Sequence, residues 1–196
     1  MCDLGGVYFT NGTSIVINKF SRKYKIPREK LIHALKSPGL VYDYGTGKIN
    51  REEFWKRVME YLKISKKVAL EIEAAWMNSY KPKKMMQSLI RQLRERYKVV
   101  VVSGNLKERI EFLNMKYNLD TKFDRYFYSF DYSTNKPSED LCKYALKKLR
   151  AKPEECVMID DNLIFLKNVK KLGINIIHFR NPFQLKEDLI NLGIVL

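Results

Sequence analysis

Four short stretches of the sequence carry side chains that could act together on one substrate. Asp3 follows a short apolar start, Ser103 ends a run of four valines, and Lys136 precedes a proline. Asp160 and Asp161 stand side by side after a further apolar run. Together these residues offer a nucleophilic carboxylate, a hydroxyl, a positive charge and an acidic pair, which is a set suited to group transfer through a carboxylate.

The apolar runs before these residues predict buried strands. Residues 98–103 and 156–160 are nearly continuous apolar sequence, which is typical of parallel strands covered on both faces. Further strands are predicted at 125–130 and 174–179, and helices lie between them. This alternation favours an α/β fold with helices on both faces of a parallel sheet, in which side chains that end the strands meet at one edge.

Residues 13–81 have a different, helical pattern. Asn50 with Glu53 three residues later predicts the start of one helix, and Ser65 predicts the start of another. The apolar positions that follow recur at helical spacing. We therefore predict an α/β core formed by residues 1–12 and 82–196, with residues 13–81 inserted as a helical unit.

The four stretches, in this order, resemble the haloacid dehalogenase-like (HAD) superfamily. The resemblance rests on Asp3 with Gly5 and Gly6, on the stretches 99–105 and 135–137, and on 157–162, and it extends to about Gly193. It implies a Rossmann-like α/β core with a helical cap domain at 13–81. It also implies Mg²⁺-dependent hydrolysis of a small phosphomonoester, with an aspartyl-phosphate intermediate.

The resemblance assigns roles to the first three stretches. Asp3 would be the nucleophile, and Ser103 with Gly104, Asn105 and Lys136 would bind the phosphate. From the residues alone, other readings stay open. Asp3 before a glycine pair also fits a turn, and Ser103 also fits an N-cap for the helix that follows.

The acidic pair is the candidate metal site. Neighbouring carboxylates repel one another, and a divalent cation removes that cost. Mg²⁺ prefers oxygen ligands, and the resemblance implies Asp3, the backbone carbonyl of Gly5, and one or both of Asp160 and Asp161. Alternatively, one of the two aspartates caps the helix that begins near residue 163.

Gly5 departs from the pattern of many phosphatases of this family, which have a second Asp two residues after the nucleophile and use it as general acid and base. Loss of such a group typically costs about 10²–10⁴ in rate. The resemblance therefore also admits a catalytically silent member that binds or regulates. Metal-free haloacid dehalogenation is a further alternative, although Gly5 with an acidic pair is closer to the phosphatases.

Composition and charge narrow the possible partners and the possible location of the protein. Lys and Arg exceed Asp and Glu by 37 to 22, a net charge of +15. Because the basic residues are spread over most predicted helices, we interpret them as a lysine-rich surface and do not expect nucleic acid as the partner. Three widely spaced cysteines argue against a disulfide framework or a zinc cluster. No apolar run approaches the ~20 residues of a membrane span, and the start does not resemble a signal peptide, so a cytoplasmic protein is expected.

Overall fold

The chain folds as a layered α/β structure, described here by a computed structural model for residues 1–36, 38–132 and 138–196. The strands are β1 (Val100–Ser103), β2 (Arg125–Tyr128), β3 (Val157–Asp160) and β4 (Asn175–His178). The helices are α1 (Gly12–Tyr24), α2 (Arg28–Leu35), α3 (Val41–Gly45), α4 (Arg51–Leu62), α5 (Lys66–Asn78), α6 (Lys84–Arg94), α7 (Lys107–Tyr117), α8 (Asp140–Leu149), α9 (Leu163–Lys170) and α10 (Pro182–Asn191). Short 3₁₀ turns cover Leu119–Thr121, Ser129–Asp131 and Pro153–Glu155.

The first three residues join the strands into one parallel sheet. β1 pairs with β2 and β3 pairs with β4, both in parallel. Cys2 donates its backbone N–H to Val100 O (2.8 Å), and Asp3 donates to Ile159 O (3.0 Å). The sheet order is therefore β2–β1–(residues 1–3)–β3–β4, and even this short segment is hydrogen-bonded on both sides.

Both faces of the sheet are covered, as the continuous apolar runs predict. Val100 and Val102 pack in one buried cluster with residues of α8 and α9, whereas Val101 belongs to a second cluster that includes residues of α6, α7 and α10. Alternate side chains of a strand point to opposite faces. The expected α/β class, with helices on both sides of a parallel sheet, is confirmed.

Helices α1 to α5 form the segment between the N-terminal residues and the rest of the sheet. Asn50 caps α4 by accepting from Glu53 N (2.9 Å), and Ser65 caps α5 by accepting from Val68 N (3.4 Å), as the sequence predicts. The short helix α3 was not predicted, because five residues are too few to show helical periodicity. The segment is well packed internally, with Phe54 fully buried.

The chain enters and leaves this helical segment at adjacent places. Thr10 donates its backbone N–H to Lys81 O (2.9 Å), and its hydroxyl donates to Ser79 O (2.6 Å). Lys83 N donates to Tyr8 O (2.9 Å) one step further along. The two connecting segments thus run side by side. This arrangement is consistent with the predicted division into a core and a helical unit at residues 13–81, which stays a prediction.

All four strands are shorter than predicted, and those expected at 98–103 and 156–160 cover Val100–Ser103 and Val157–Asp160. The strand expected at 125–130 ends at Tyr128, where the chain turns and the buried Ser129 donates its hydroxyl to Gly45 O (3.2 Å) in α3. The strand expected at 174–179 covers Asn175–His178. Within the described ranges, we find no helix that is both long and apolar enough to cross a membrane.

Candidate active site

Three carboxylates meet at the carboxyl edge of the sheet. Asp3 follows the N-terminal segment, and Asp160 and Asp161 lie at the end of β3, which is the neighbouring strand. One oxygen from each lies within 4.8 Å of the others. Asp3 is 7% and Asp160 2% exposed, so two of the three charges are held away from water. The structure therefore brings these predicted residues together.

The hydroxyl of Ser103 is directed at Asp3. Its Oγ donates to Asp3 Oδ1 (3.0 Å), and both residues are buried. Helix α7 begins after Leu106, and no side chain caps it. The alternative in which Ser103 caps that helix is therefore wrong. Gly104 and Asn105 follow Ser103 into the same cavity.

A different residue caps the helix after the acidic pair. Asn162 accepts from Ile164 N (3.0 Å) and Phe165 N (3.2 Å) at the start of α9. The expectation that one aspartate fills this role is wrong, since Asn162 does. Asp160 Oδ1 instead accepts from Asn162 N (2.8 Å), which fixes the carboxylate within the cluster.

Gly6 is required by the position of Asp161. Its φ of +86° lies in the left-handed region that glycine adopts at little cost. A Cβ at this position would lie 2.0 Å from Asp161 Oδ2, well inside van der Waals contact. The side chain of Asn11 also reaches Asp161, with Nδ2 3.4 Å from Oδ2. The loop after Asp3 thus packs directly on the acidic pair.

The carboxylates form one end of a cavity of about 200 Å³. Gly5 also lines it, and a Cβ on Gly5 would lie 3.5 Å from Tyr80 Cε1. The predicted phosphate-binding lysine, Lys136, lies outside the described residues. The remaining walls come from the helical segment and from α7, and they include Thr13, Leu35, Val41, Gly45, Trp76, Tyr80, Leu106 and Arg109.

Sequence reasoning missed Arg109. This residue lies in α7, is only 4% exposed and lines the cavity. Its guanidinium carbon lies 4.1 Å from the ring centre of Trp76 and 4.5 Å from that of Tyr80. Nη1 donates to Asn105 Oδ1 (3.0 Å). One sequence feature could have identified Arg109: it lies one helical turn before the buried Leu113, and charged residues are rare on the buried face of a helix.

Burial shifts several pKa values around the cavity. It lowers the pKa of Arg109, because desolvation disfavours the charged form. It likewise lowers the pKa of Lys83, against the opposing attraction of Asp161. Burial raises the pKa of Tyr44, with Glu108 adding to the effect. The site therefore combines anionic and cationic groups in a poorly hydrated setting, where charges interact more strongly than in water.

Solved structures share this fold. A HAD family enzyme of Bacteroides thetaiotaomicron, in complex with magnesium and inorganic phosphate, superposes with a TM-score of 0.72 at 22% identity, covering 91% of this chain and 92% of that one. An L-2-haloacid dehalogenase of Xanthobacter autotrophicus, with chloropropionic acid covalently bound, gives 0.64 at 16% identity, covering 100% and 83%. At these identities the likeness concerns the fold.

Sequence comparisons lead to the same family. A putative uncharacterized hydrolase of Schizosaccharomyces pombe is 29% identical over 130 residues, which is 59% of this chain and 56% of the relative. The chain thus matches little more than half the length of that relative. A family model described as haloacid dehalogenase-like hydrolase matches residues 10–164. This match covers well over half of the chain, and the protein therefore belongs to the haloacid dehalogenase-like hydrolases.

Proposed function

We propose that the protein is a Mg²⁺-dependent phosphatase that hydrolyses a small phosphomonoester through an aspartyl-phosphate at Asp3. The observation that carries the proposal is the cluster of Asp3, Asp160 and Asp161, with oxygens within 4.8 Å of one another, beside the Ser103 hydroxyl. Haloacid dehalogenation needs a nucleophilic carboxylate without a metal. Three converging carboxylates are costly unless a cation is bound, so the cluster favours the phosphatase.

The donor set fits Mg²⁺. Mg²⁺ takes oxygen ligands and usually keeps waters and substrate phosphate in its shell, and the three aspartates offer only oxygens. Asp3, Asp160 and Asp161 would hold the ion, together with the backbone carbonyl of Gly5, which lines the same cavity. When bound, the ion neutralises charge on the phosphate and on the carboxylates.

The protein residues then have separate tasks. Asp3 attacks phosphorus while the ester P–O bond breaks, and the alkoxide leaves and takes a proton from water. A further water then hydrolyses the aspartyl-phosphate and releases inorganic phosphate. Ser103 donates a 3.0 Å hydrogen bond to Asp3 Oδ1, which helps to orient the attacking carboxylate. Ser103, Gly104, Asn105 and Lys136 would bind the phosphate oxygens, since phosphoryl transfer depends on positioning and on charge stabilisation.

Gly5 supplies no side chain that could protonate the leaving group. We therefore expect faster hydrolysis of phosphoesters whose alcohol is already a good leaving group. The cavity of about 200 Å³ is smaller than the ~300–1,000 Å³ typical of sites for drug-sized ligands. Trp76 and Thr13 of the helical segment line it, which suits the proposed role of residues 13–81 as a cap.

The test is hydrolysis of p-nitrophenyl phosphate by the wild-type protein with Mg²⁺, by the same protein with EDTA, and by Asp3→Asn. This substrate has a good leaving group and compensates for Gly5. We expect activity that EDTA abolishes and that Asp3→Asn lowers by at least about 10³-fold, as when other enzymes lose a nucleophile.

A matched control is Asp124→Asn, a carboxylate that lies far from this edge and binds Arg94 (Nε to Oδ1, 3.0 Å). It should retain the wild-type rate if it remains folded. Full turnover by Asp3→Asn with Mg²⁺ present would exclude the mechanism. Wild-type protein that neither binds Mg²⁺ nor cleaves the ester would favour a catalytically silent member.

A further inference from the structure

Arg109 is a buried positive charge with incomplete hydrogen bonding. Of its donor atoms, Nη1 is bonded to Asn105, whereas neither Nε nor Nη2 has a hydrogen-bond partner among the described residues. Tyr80 adds electrostatic stabilisation with its ring over the guanidinium, although its hydroxyl is itself paired with Thr13 Oγ1 (2.7 Å). A buried donor without a partner is costly, and more so when it is charged.

No nearby carboxylate neutralises Arg109. In the described ranges, no acidic side chain lies within ion-pair distance of its guanidinium. Glu108, its neighbour in α7, contributes electrostatic attraction, and one of its own oxygens is buried without a partner. Among the described residues, Tyr44 OH is a fourth such buried atom, and its interaction with Glu108 contributes to the raised pKa of Tyr44. Arg109 itself lines the cavity, and two of its nitrogen atoms have no hydrogen-bond partner in the described structure.

The guanidinium is nevertheless held in a fixed position. Trp76 and Tyr80 contact its carbon at 4.1 and 4.5 Å, and Asn105 binds Nη1 while also accepting from Leu106 N (3.0 Å). Aromatic faces stabilise a guanidinium and leave its edge N–H groups available. A planar guanidinium fork with free N–H groups is suited to a carboxylate or a phosphate, which it can bind with two parallel hydrogen bonds.

We propose that Arg109 binds a second oxyanion of the substrate, a carboxylate or a second phosphate, in the cavity where Asp3 attacks the phosphomonoester. The proposal rests on the proposed function, and it narrows the substrates to small phosphoesters with two anionic groups. Asp3 and Arg109 line the same small cavity, so one compact molecule can reach both. Arg109 is then a residue that determines specificity.

The experiment uses three short phosphonates, which bind without being hydrolysed because carbon replaces the ester oxygen. They share one alkyl chain and end in a carboxamide, a carboxylate or a second phosphonate. The carboxamide has the shape of the carboxylate without its charge. Dissociation constants are measured by calorimetry with Mg²⁺ for the wild-type protein, Arg109→Gln, Arg109→Lys and the exposed control Arg91→Gln.

We expect the wild-type protein to bind the carboxylate ligand, the bisphosphonate or both about 10- to 100-fold more tightly than the carboxamide, as charge-assisted hydrogen bonds allow. Whether the carboxylate or the second phosphonate binds more tightly identifies the anion. Arg109→Gln should reduce the preference to about threefold or less, whereas Arg91→Gln should retain it. Arg109→Lys keeps the charge without the fork and should retain part of it.

Equal binding of all three ligands by the wild-type protein would overturn the proposal, and this comparison does not depend on any variant folding. A preference that survives in folded Arg109→Gln would also overturn it. Because phosphonate binding needs no turnover, the two proposals fail separately. A protein that has no phosphatase activity but still prefers the ligands with a second anionic group would contradict only the proposed phosphatase activity. An active phosphatase without this preference would contradict only the proposed role of Arg109.

Discussion

The two ends of the cavity hold opposite charges, and they are stabilised in different ways. At the acidic end, Ser103 and the backbone of Asn162 donate hydrogen bonds to Asp3 and Asp160. At the other end, Arg109 is held by aromatic faces and by Asn105, and two of its buried nitrogen atoms have no partner in the described structure. The acidic end therefore suits the proposed cation, and the basic end suits the proposed second anion.

This difference suggests separate tasks for the two ends, one for the reaction itself and one for the choice of substrate. The acidic end is formed by strand ends and would perform the reaction on any phosphomonoester. The Arg109 end is formed by α7 and by Trp76 and Tyr80 of residues 13–81, and it would select which phosphomonoester enters. The following changes separate the two ends, beginning with the largest expected effect.

Gly6→Ala should damage the acidic end. The new Cβ would lie 2.0 Å from Asp161 Oδ2, so the carboxylate must move. Displacing groups that orient metal ligands typically costs about 10- to 100-fold in affinity, and we expect a loss of this size for Mg²⁺. Calorimetric titration with Mg²⁺ measures it.

Gly193→Ala provides the matched control. Gly193 also has a positive φ (+78°), but a Cβ there would meet no atom within 4 Å. Both variants should lose about 1–2 kcal/mol of stability, because an L side chain is strained in the left-handed region. If both also bind Mg²⁺ with wild-type affinity, the contact between Gly6 and Asp161 does not shape the metal site.

Ser103→Ala should have a smaller effect at the same end. It removes the hydroxyl that donates to Asp3 Oδ1, and hydrogen bonds to charged groups contribute about 1.5–3 kcal/mol, which corresponds to roughly 10- to 100-fold. We expect the loss in kcat/KM for p-nitrophenyl phosphate to lie near the lower value, because backbone groups also bind the phosphate.

Thr46→Val is the control for this change. Thr46 is also buried, but its hydroxyl donates to the backbone carbonyls of Tyr42 and Asp43, and it does not line the cavity. Its loss should leave kcat/KM nearly unchanged in the folded protein. If both variants lose activity equally, the hydrogen bond to Asp3 has no special importance.

Arg109→Met should have the smallest effect, and it concerns stability. Arg109→Met removes the desolvation cost of an incompletely paired buried charge but also loses its contacts with the two rings and with Asn105, so we expect the free energy of unfolding to change by less than about 1 kcal/mol. Chemical denaturation measures this change. A much larger loss would mean that Arg109 serves the fold and not a ligand.

Glu73 offers the contrast. It is buried and accepts from Arg51 Nε (2.6 Å) and from Trp55 Nε1 (2.8 Å), so its polar atoms are paired within the protein. Glu73→Met would leave the buried indole N–H of Trp55 without its partner. We expect a loss of about 1–3 kcal/mol, larger than that for Arg109→Met.

The sequence predicts the acidic end well, because strand ends leave a strong signal. A continuous apolar run that stops at Ser103 or at Asp160 shows both the strand and the edge at which the side chain emerges. The order of the motifs then gives the family. The chemical roles of all these residues stay predictions, and Lys136 lies outside the described residues.

The Arg109 end could not be predicted in the same way. Its contacts join residues far apart in sequence, since Trp76 and Tyr80 lie about thirty positions before Arg109. No periodicity shows which aromatic residues will face a particular helix. The cap of α9 was missed for a local reason, because Asn162 and the two aspartates before it are all good N-cap residues.

The paired connecting segments at Thr10 and Lys81 bear on how such a protein can diverge. Their hydrogen bond holds the two ends of the segment between them side by side. Since the entropy of loop closure depends only weakly on loop length, a segment inserted in this way can be lengthened or exchanged without changing the order of the strands. Trp76 lies inside this segment and Arg109 outside it. An exchange would therefore replace the surface that covers the guanidinium while the inherited charge remained in place.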